Sequence, residues 1–327
     1  MILLLVTFCL VSGFLGEAPC LASDLPILTS DAKQQFLAVT TLGRYGDISA
    51  VKAKSSSQYS YKVKSSAKSA KFSVISNKIK SKCAVIMDAD TGEIIYAKSP
   101  DTPRQPASTI KVLTGMIAIK SLSEGDSVEV SKYASSMPRS KVYLKPRSKY
   151  RAEDLINAVL LASANDASVA LAEKIAGSEK RFAQMMNLRA RLWGAKQTVC
   201  QTATGLTARG QQTTARDLAV IFRHAMQDSE FAKRMSKVKV RTSYGKVLRN
   251  HNKALWSLEG AVAGKTGFTQ AAGQTYVGKF SRGGESVIVA IMGSTSMWND
   301  IEALVEYGFE RQDIKLLSDS GSSVLRM

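Results

Sequence analysis

Cys83-Ala84-Val85-Ile86-Met87, the polar run Asp88-Ala89-Asp90-Thr91-Gly92, and then Ile94-Ile95-Tyr96 read as a β-hairpin, because two apolar, β-branched runs flank a short turn. Near the other end of the chain, Val262–Thr269, Thr275–Phe280 and Ser286–Met292 also read as strands, the last two separated by Ser281-Arg282-Gly283-Gly284. The intervening residues change period. Ile110, Leu113, Met116, Ile117 and Ile119 recur at helical spacing, as do Leu155, Ile156, Val159 and Leu160. Further helices are expected over Ala167–Ala176, Lys180–Trp193, Asp217–Met226 and Asp300–Phe309. Strands at both ends with helices between them predict one α/β domain in which the two chain ends share a sheet.

Outward from that domain, residues 51–82 hold nine lysines among many serines and no acidic residue. With no hydrophobic period, this segment reads as a flexible, self-repelling, disordered linker. Residues 23–50 form a short mixed N-terminal segment, with a helix expected over Asp31–Thr41, and residues 313–327 read as a frayed tail after a domain at 83–312. Met1 to Leu15 is almost wholly apolar and Cys20-Leu21-Ala22 offers small residues for cleavage, so residues 1–22 read as a secretory signal peptide. The apolar run falls short of the roughly 20 residues that span a bilayer, and no transmembrane anchor is expected elsewhere. The formal net charge of +18, from 45 Lys+Arg against 27 Asp+Glu, calls for an anionic partner. Export argues against nucleic acid and for a membrane surface or wall polymer. Two histidines, His224 and His251, and four cysteines give little material for a metal site, and none is expected. Cys83 and Cys200, left after signal removal, could pair in an oxidising compartment; two small buried hydrophobes is the favoured reading.

Three short segments can carry chemistry. In Pro106-Ala107-Ser108-Thr109-Ile110-Lys111, proline at a helix start puts Ser108 in the first turn. Lys111 then lies on the same face, within reach of the hydroxyl. A buried lysine beside a second cation loses its proton easily and can serve as a base. In Leu161-Ala162-Ser163-Ala164-Asn165-Asp166, Ser163 and Asn165 sit where one helix ends and another begins; they can face a cleft or simply cap a helix. In Gly264-Lys265-Thr266-Gly267-Phe268-Thr269, strand alternation puts Lys265 and Gly267 on one face. A glycine there lets a substrate backbone approach, and Lys265 and Thr266 can donate to a carboxylate.

Taken together and in this order, Ser-x-x-Lys, Ser-x-Asn and Lys-Thr-Gly are the set found in class A β-lactamases and penicillin-binding proteins. The chain resembles the low-molecular-mass penicillin-binding proteins, the serine-type D-Ala-D-Ala carboxypeptidases, from about Cys83 to Gln312. The likeness includes Tyr143-Leu144-Lys145-Pro146, Thr204-Gly205-Leu206, Thr214-Ala215-Arg216-Asp217 and Asn250-His251-Asn252-Lys253. It implies the β-lactamase/transpeptidase-like fold, an antiparallel sheet built from both chain ends with a mainly helical subdomain. It implies that Ser108 is the nucleophile and Lys111 its base, with Ser163 in the proton relay. Asn165 would hold the substrate amide, Lys265 and Thr266 the terminal carboxylate, and the backbone N–H groups of Ser108 and Phe268 the oxyanion, beside Gly267. Stem peptides of peptidoglycan are the implied substrates and β-lactam antibiotics the implied inhibitors, with no cofactor. Location in the periplasm or at the wall follows, and the basic linker would meet anionic envelope polymers.

The chain also departs from the family pattern. Some members carry an arginine after the last strand, whereas Met292-Gly293-Ser294-Thr295-Ser296 has none. The short C-terminus resembles single-domain members, some of which are D,D-endopeptidases on cross-links. A β-lactamase needs a carboxylate to activate the deacylating water, and no Asp or Glu lies between Arg181 and Arg216. A non-catalytic wall-binding relic would have no reason to keep both Ser108 and Lys111. His251 reads as structural or substrate-lining, since the base role is already filled.

Overall fold

The computed structural model describes residues 75–324, with side chains described to residue 313. The expected signal peptide, the N-terminal segment and residues 51–74 of the linker lie outside the described residues, as do residues 325–327. In chain order the elements are β1 (Cys83–Asp88), β2 (Ile94–Lys98), a 3-10 turn (Ala107–Ile110), α1 (Lys111–Ser121), β3 (Ser127–Glu129), α2 (Lys132–Ser136), β4 (Lys149–Arg151), α3 (Ala152–Leu160), α4 (Asn165–Ala176) and α5 (Glu179–Leu192). Then follow α6 (Ala215–Met226), α7 (Ser229–Met235), β5 (Lys239–Arg241), β6 (Val247–Arg249), α8 (Ala254–Ser257), β7 (Ala261–Thr269), β8 (Gly273–Arg282), β9 (Glu285–Ser294) and α9 (Met297–Val324).

The main sheet has the order β2-β1-β9-β8-β7, and every neighbouring pair in it is antiparallel. The first hairpin therefore pairs directly with the last strand, Cys83 opposite Met292 and Asp88 opposite Val287, as expected of ends that share a sheet. The alternation of β1 and β9 sorts the core into two layers. Val85, Met87, Ile288 and Ala290 face α1 and the other helices between the chain ends. Ala84, Ile86, Val289 and Ile291 face α9, packing with Ile301, Leu304 and Val305. Caps hold the helices in phase: Ser178 accepts from Arg181 N–H at α5, and Thr214 accepts from Asp217 N–H at α6.

Two boundaries differ from expectation. Residues 75–78 form one helical turn, and Ile75 and Ile79 are buried in the α9-side layer with Tyr96. Lys80 N–H donates to Asp300 Oδ1 at 2.8 Å, and Lys98 Nζ reaches the carbonyls of Ser76 and Ile79. The fold thus takes in at least residues 75–82, inside the stretch read as linker. A single i, i+4 apolar pair was too short a pattern to stand out among lysines. At the other end α9 runs on to Val324 where a frayed tail was expected; no proline interrupts Asp313 to Leu317, so nothing local stops the helix. Cys83 and Cys200 are both buried and unpaired, as the favoured reading had it. Among the described residues, no helix is long and apolar enough to cross a membrane.

Candidate active site

Ser108 lies in the 3-10 turn, one turn earlier than the α-helix start expected for it, and Lys111 opens α1. Ala107, just before the nucleophile candidate, has φ +50, and Ser163 has φ +57. Each such non-glycine residue in the left-handed region costs about 1–3 kcal/mol, which the surroundings must offset. At Ala107 they do so through close packing. Thr275 Oγ1 donates to the Pro106 carbonyl at 3.0 Å. A Cβ on Gly205 would fall 2.0 Å from the Ala107 carbonyl oxygen, so Thr204-Gly205-Leu206 needs its glycine to lie against the turn. Gly267 has an analogous role. A Cβ there would fall 2.8 Å from Ser108 N, so its absence lets β7 pack against the start of the turn, where room for a substrate backbone was expected.

Lys111 and Lys265 are fully buried. Lys111 Nζ sits 3.0 Å from Ser108 Oγ, 2.8 Å from Asn165 Oδ1 and 2.5 Å from the Thr204 carbonyl. The amide of Asn165 is oriented by donation to the carbonyls of Pro138 and Arg139. Lys265 Nζ donates to Ser163 Oγ at 2.8 Å and to the Thr266 carbonyl at 2.9 Å. The three motifs thus converge through two buried amines. Thr266 and Phe268 alternate away from Lys265, with Thr266 half-buried and the Phe268 ring 63% exposed.

Burial pushes the Lys111 ammonium well below the usual lysine range, and the charge of Lys265 pushes it further; Glu179 and Asp166 oppose this. Burial alone lowers Lys265 to about 7. His251 is lowered to about 4 by desolvation and by the charges of Lys265 and Lys111. Although its side chain opens to solvent, both lysines act in the same direction, and the ring is neutral at pH 7. His251 N–H donates to the Leu161 carbonyl, which places it on the rim of the Ser163 loop.

Three supports were not visible as such in the sequence. The Thr204 carbonyl accepts a hydrogen bond from Lys111 Nζ. Glu179 Oε1 accepts from Ala203 N–H and Thr114 Oγ1 donates to the Ala203 carbonyl, fixing that segment. Buried Asp166 accepts from the N–H groups of Val142 and Leu144, tying down the loop over Asn165. Only the motif context of Asp166 and Thr204 hinted at them. Among the described residues, no cluster of His, Cys, Asp and Glu could hold a metal ion.

Comparison with known proteins shows the family. The D-alanyl-D-alanine carboxypeptidase family profile matches residues 67–296. D-alanyl-D-alanine carboxypeptidase DacB2 of Mycobacterium tuberculosis is 33% identical over 236 residues, 69% of this chain and 81% of its own. DacF of Bacillus subtilis is 31% identical over 66% of this chain, which spans only 58% of that longer relative. Among solved structures, the D-alanyl-D-alanine carboxypeptidase from M. tuberculosis superposes with a TM-score of 0.67 at 31% identity, covering 71% of this chain and 91% of that one. Penicillin-binding protein D2 from Listeria monocytogenes in its ampicillin-bound form gives 0.65 at 27% identity, covering 71% and 98%. The matched span takes in the serine turn, the Ser163 loop and β7 together. The chain belongs to the D-alanyl-D-alanine carboxypeptidase family of serine peptidases.

Proposed function

We propose that Ser108, Lys111 and Ser163 carry the reaction of this serine-type carboxypeptidase, which removes the terminal D-Ala of peptidoglycan stem peptides through an acyl-enzyme. The supporting observation is the environment of Lys111 Nζ. A neutral amine has two protons and one lone pair. Asn165 Oδ1 and the Thr204 carbonyl accept the two protons, so the lone pair is left for the Ser108 hydroxyl at 3.0 Å. Lys111 then takes the hydroxyl proton as Oγ attacks the penultimate D-Ala carbonyl. The backbone N–H groups of Ser108 and Phe268 receive the oxyanion, each donor contributing about 3 kcal/mol. The C–N bond breaks, the amine of D-Ala leaves with a proton relayed through Ser163, and water hydrolyses the ester. Lys265 commits two donors to Ser163 and the Thr266 carbonyl, and its third is free for the substrate's terminal carboxylate, with Thr266 beside it. Asn165 positions Lys111 through Oδ1, and since both Nδ2 protons go to the Pro138 and Arg139 carbonyls, the second lone pair of Oδ1 is what it can offer a substrate amide N–H.

The test is release of D-Ala from a stem pentapeptide. Stoichiometric release blocked by prior incubation with benzylpenicillin is the expected result; turnover unaffected by a β-lactam would overturn the reading. Rapid penicillin turnover without a stable adduct would favour a β-lactamase instead.

Residues 1–22 act in this reading as a secretory signal, and the enzyme works in the periplasm or at the wall. The basic segment before the fold holds it against anionic envelope polymers. Because Ile75 and Ile79 belong to the core, the deletion that tests this stops at residue 74. Deleting 51–74 should weaken salt-sensitive cosedimentation with cell walls and spare turnover of a small peptide. Equal loss of both would refute the tether.

A further inference from the structure

The loop that holds Asn165 carries a cluster that the chemistry above does not use. The carbonyls of Pro138 and Arg139 accept from Asn165 Nδ2, and the Ser140 carbonyl accepts from Asn165 N–H. Three residues on, Tyr143 is 57% exposed and has φ +60, a conformation that a bulky side chain rarely takes. The fold enforces it from both sides. Val142 N–H and Leu144 N–H donate to buried Asp166, and Lys246 Nζ donates to the Val142 carbonyl at 2.6 Å. The ring packs into neither layer of the core, so the strain serves a contact outside the chain.

Cations surround that ring. Arg139 Nε donates to the Tyr143 hydroxyl at 3.2 Å. The Nζ atoms of Lys141 and Lys246 lie 5.6 and 5.3 Å from the ring centroid, within the range of a cation–π contact. The hydrogen bond from Arg139, then the charges of Arg139, Lys141 and Lys246, hold the phenol below its usual range. No Asp or Glu occurs in residues 130–152 or 231–258, the two segments that meet here. Asp166 beneath the loop is buried and commits its carboxylate to backbone N–H groups. Among the described residues, none of the three cations makes a salt bridge. Three like charges gathered at one exposed ring repel one another until an anion joins them.

The place of this cluster along the substrate follows from Asn165. In the reading above, Lys265 and Thr266 take the carboxylate of the leaving D-Ala, and Ser108 attacks the D-Ala before it. The amide N–H left for Asn165 Oδ1 is the one joining that attacked residue to the rest of the acyl chain. The loop wrapped around Asn165 therefore flanks the acyl chain. We infer that Tyr143, with Arg139, Lys141 and Lys246, forms an acyl-side subsite for a carboxylate carried on the peptide before the two D-Ala residues. The inference rests on the acyl-enzyme reading and deepens it, naming a feature of the part of the substrate that is kept. The three cations receive the carboxylate, and the ring carries the aliphatic stem of the residue that bears it. Such binding is remote from the broken bond, so it acts on KM and leaves kcat almost unchanged. Two residues of a stem peptide can present the group: the side chain directly before D-Ala-D-Ala, or the α-carboxyl of a γ-linked D-Glu one residue earlier.

The experiment uses four peptides that all end in D-Ala-D-Ala, so the leaving residue never changes. In one pair 2-aminopimelate precedes D-Ala-D-Ala, its side-chain carboxyl free or amidated, and follows γ-linked D-Gln. In the other, lysine takes that place and follows γ-linked D-Glu or its α-amide. Wild type should favour acid over amide in at least one pair by about fivefold in kcat/KM, carried by KM. The pair that responds identifies the residue bearing the carboxylate. The ratio should fall to within about twofold in Arg139→Gln/Lys141→Gln and in Tyr143→Gly, which also relieves the backbone. It should persist in Lys180→Gln/Lys196→Gln, which removes equal charge from exposed positions on α5 and just after it. Labelling by fluorescent penicillin checks that each variant is folded, and Arg139→Gln alone replaces the double variant if it is not. Ratios near one in both wild-type pairs overturn the subsite while leaving the carboxypeptidase reading intact. So does a ratio that survives in the Arg139 and Tyr143 variants, or one lost equally in the Lys180 and Lys196 control. Failure of wild type to release D-Ala from any of the four peptides would overturn both.

Discussion

Ser108→Ala should give no covalent adduct with benzylpenicillin by intact mass and should lower kcat for D-Ala release by at least about 10³-fold. The size of the effect follows from the division of labour at the site. Alanine leaves both buried amines, the oxyanion donors and the packing of β7 in place, but removes the one atom that forms the ester. What survives is the rate that binding and electrostatic stabilisation lend to water. The substitution deletes a single oxygen from a partly exposed position, so the thermal midpoint should barely move, and that separates a chemical loss from a folding loss. An adduct retained on the Ser108→Ala variant would remove Ser108 from the mechanism.

Lys111→Met is the second large effect, with an expected loss of about 10²–10⁴-fold in acylation. Methionine keeps roughly the volume but offers neither a base nor donors to Asn165 Oδ1 and the Thr204 carbonyl. The pH profile distinguishes loss of the base from mere disturbance. In wild type, Lys111 must be neutral to accept the Ser108 proton, so acylation falls as pH drops through its depressed pKa. Lys265 must be charged to grip a carboxylate, so kcat/KM falls as pH rises past about 7. The methionine variant should lose the acid limb and keep the alkaline one; retention of both would assign the base elsewhere. Linkage gives a matching sign for stability. Lys265 titrates near 7 in the fold and at 10.5 by default. Between those values the unfolded chain binds more protons, so stability rises with pH across that window.

The sheet and its helical filling were legible because each element carried its own period. The β1–β2 hairpin, β7 to β9, and α1 and α3 to α6 all stand where apolar spacing put them. The convergence of Ser108, Lys111, Ser163, Asn165 and Lys265 was legible only from the three motifs taken together. Separately, a Ser-x-x-Lys or a Ser-x-Asn has an ordinary surface or capping reading. What could not be read were contacts made by backbone atoms. The Thr204 carbonyl on Lys111 and the approach of Gly267 to Ser108 N leave no side-chain signature. The short hairpin β5–β6 was also missed, since three-residue strands are shorter than the alternation that reveals them.

The pairing of β1 with β9 joins residues roughly 200 positions apart, and this sets the order in which the enzyme can come into being. Loop closure on that scale must be completed before the central strands gain their ladder, which makes folding slow and dependent on nearly the whole chain. A nascent chain stalled before residue 285 has Ser108 and Lys111 but no β9 to seat β1 or β8. Truncations ending in that region therefore leave the nucleophile unassembled, and reactivity toward penicillin arises only once the last strand has been made.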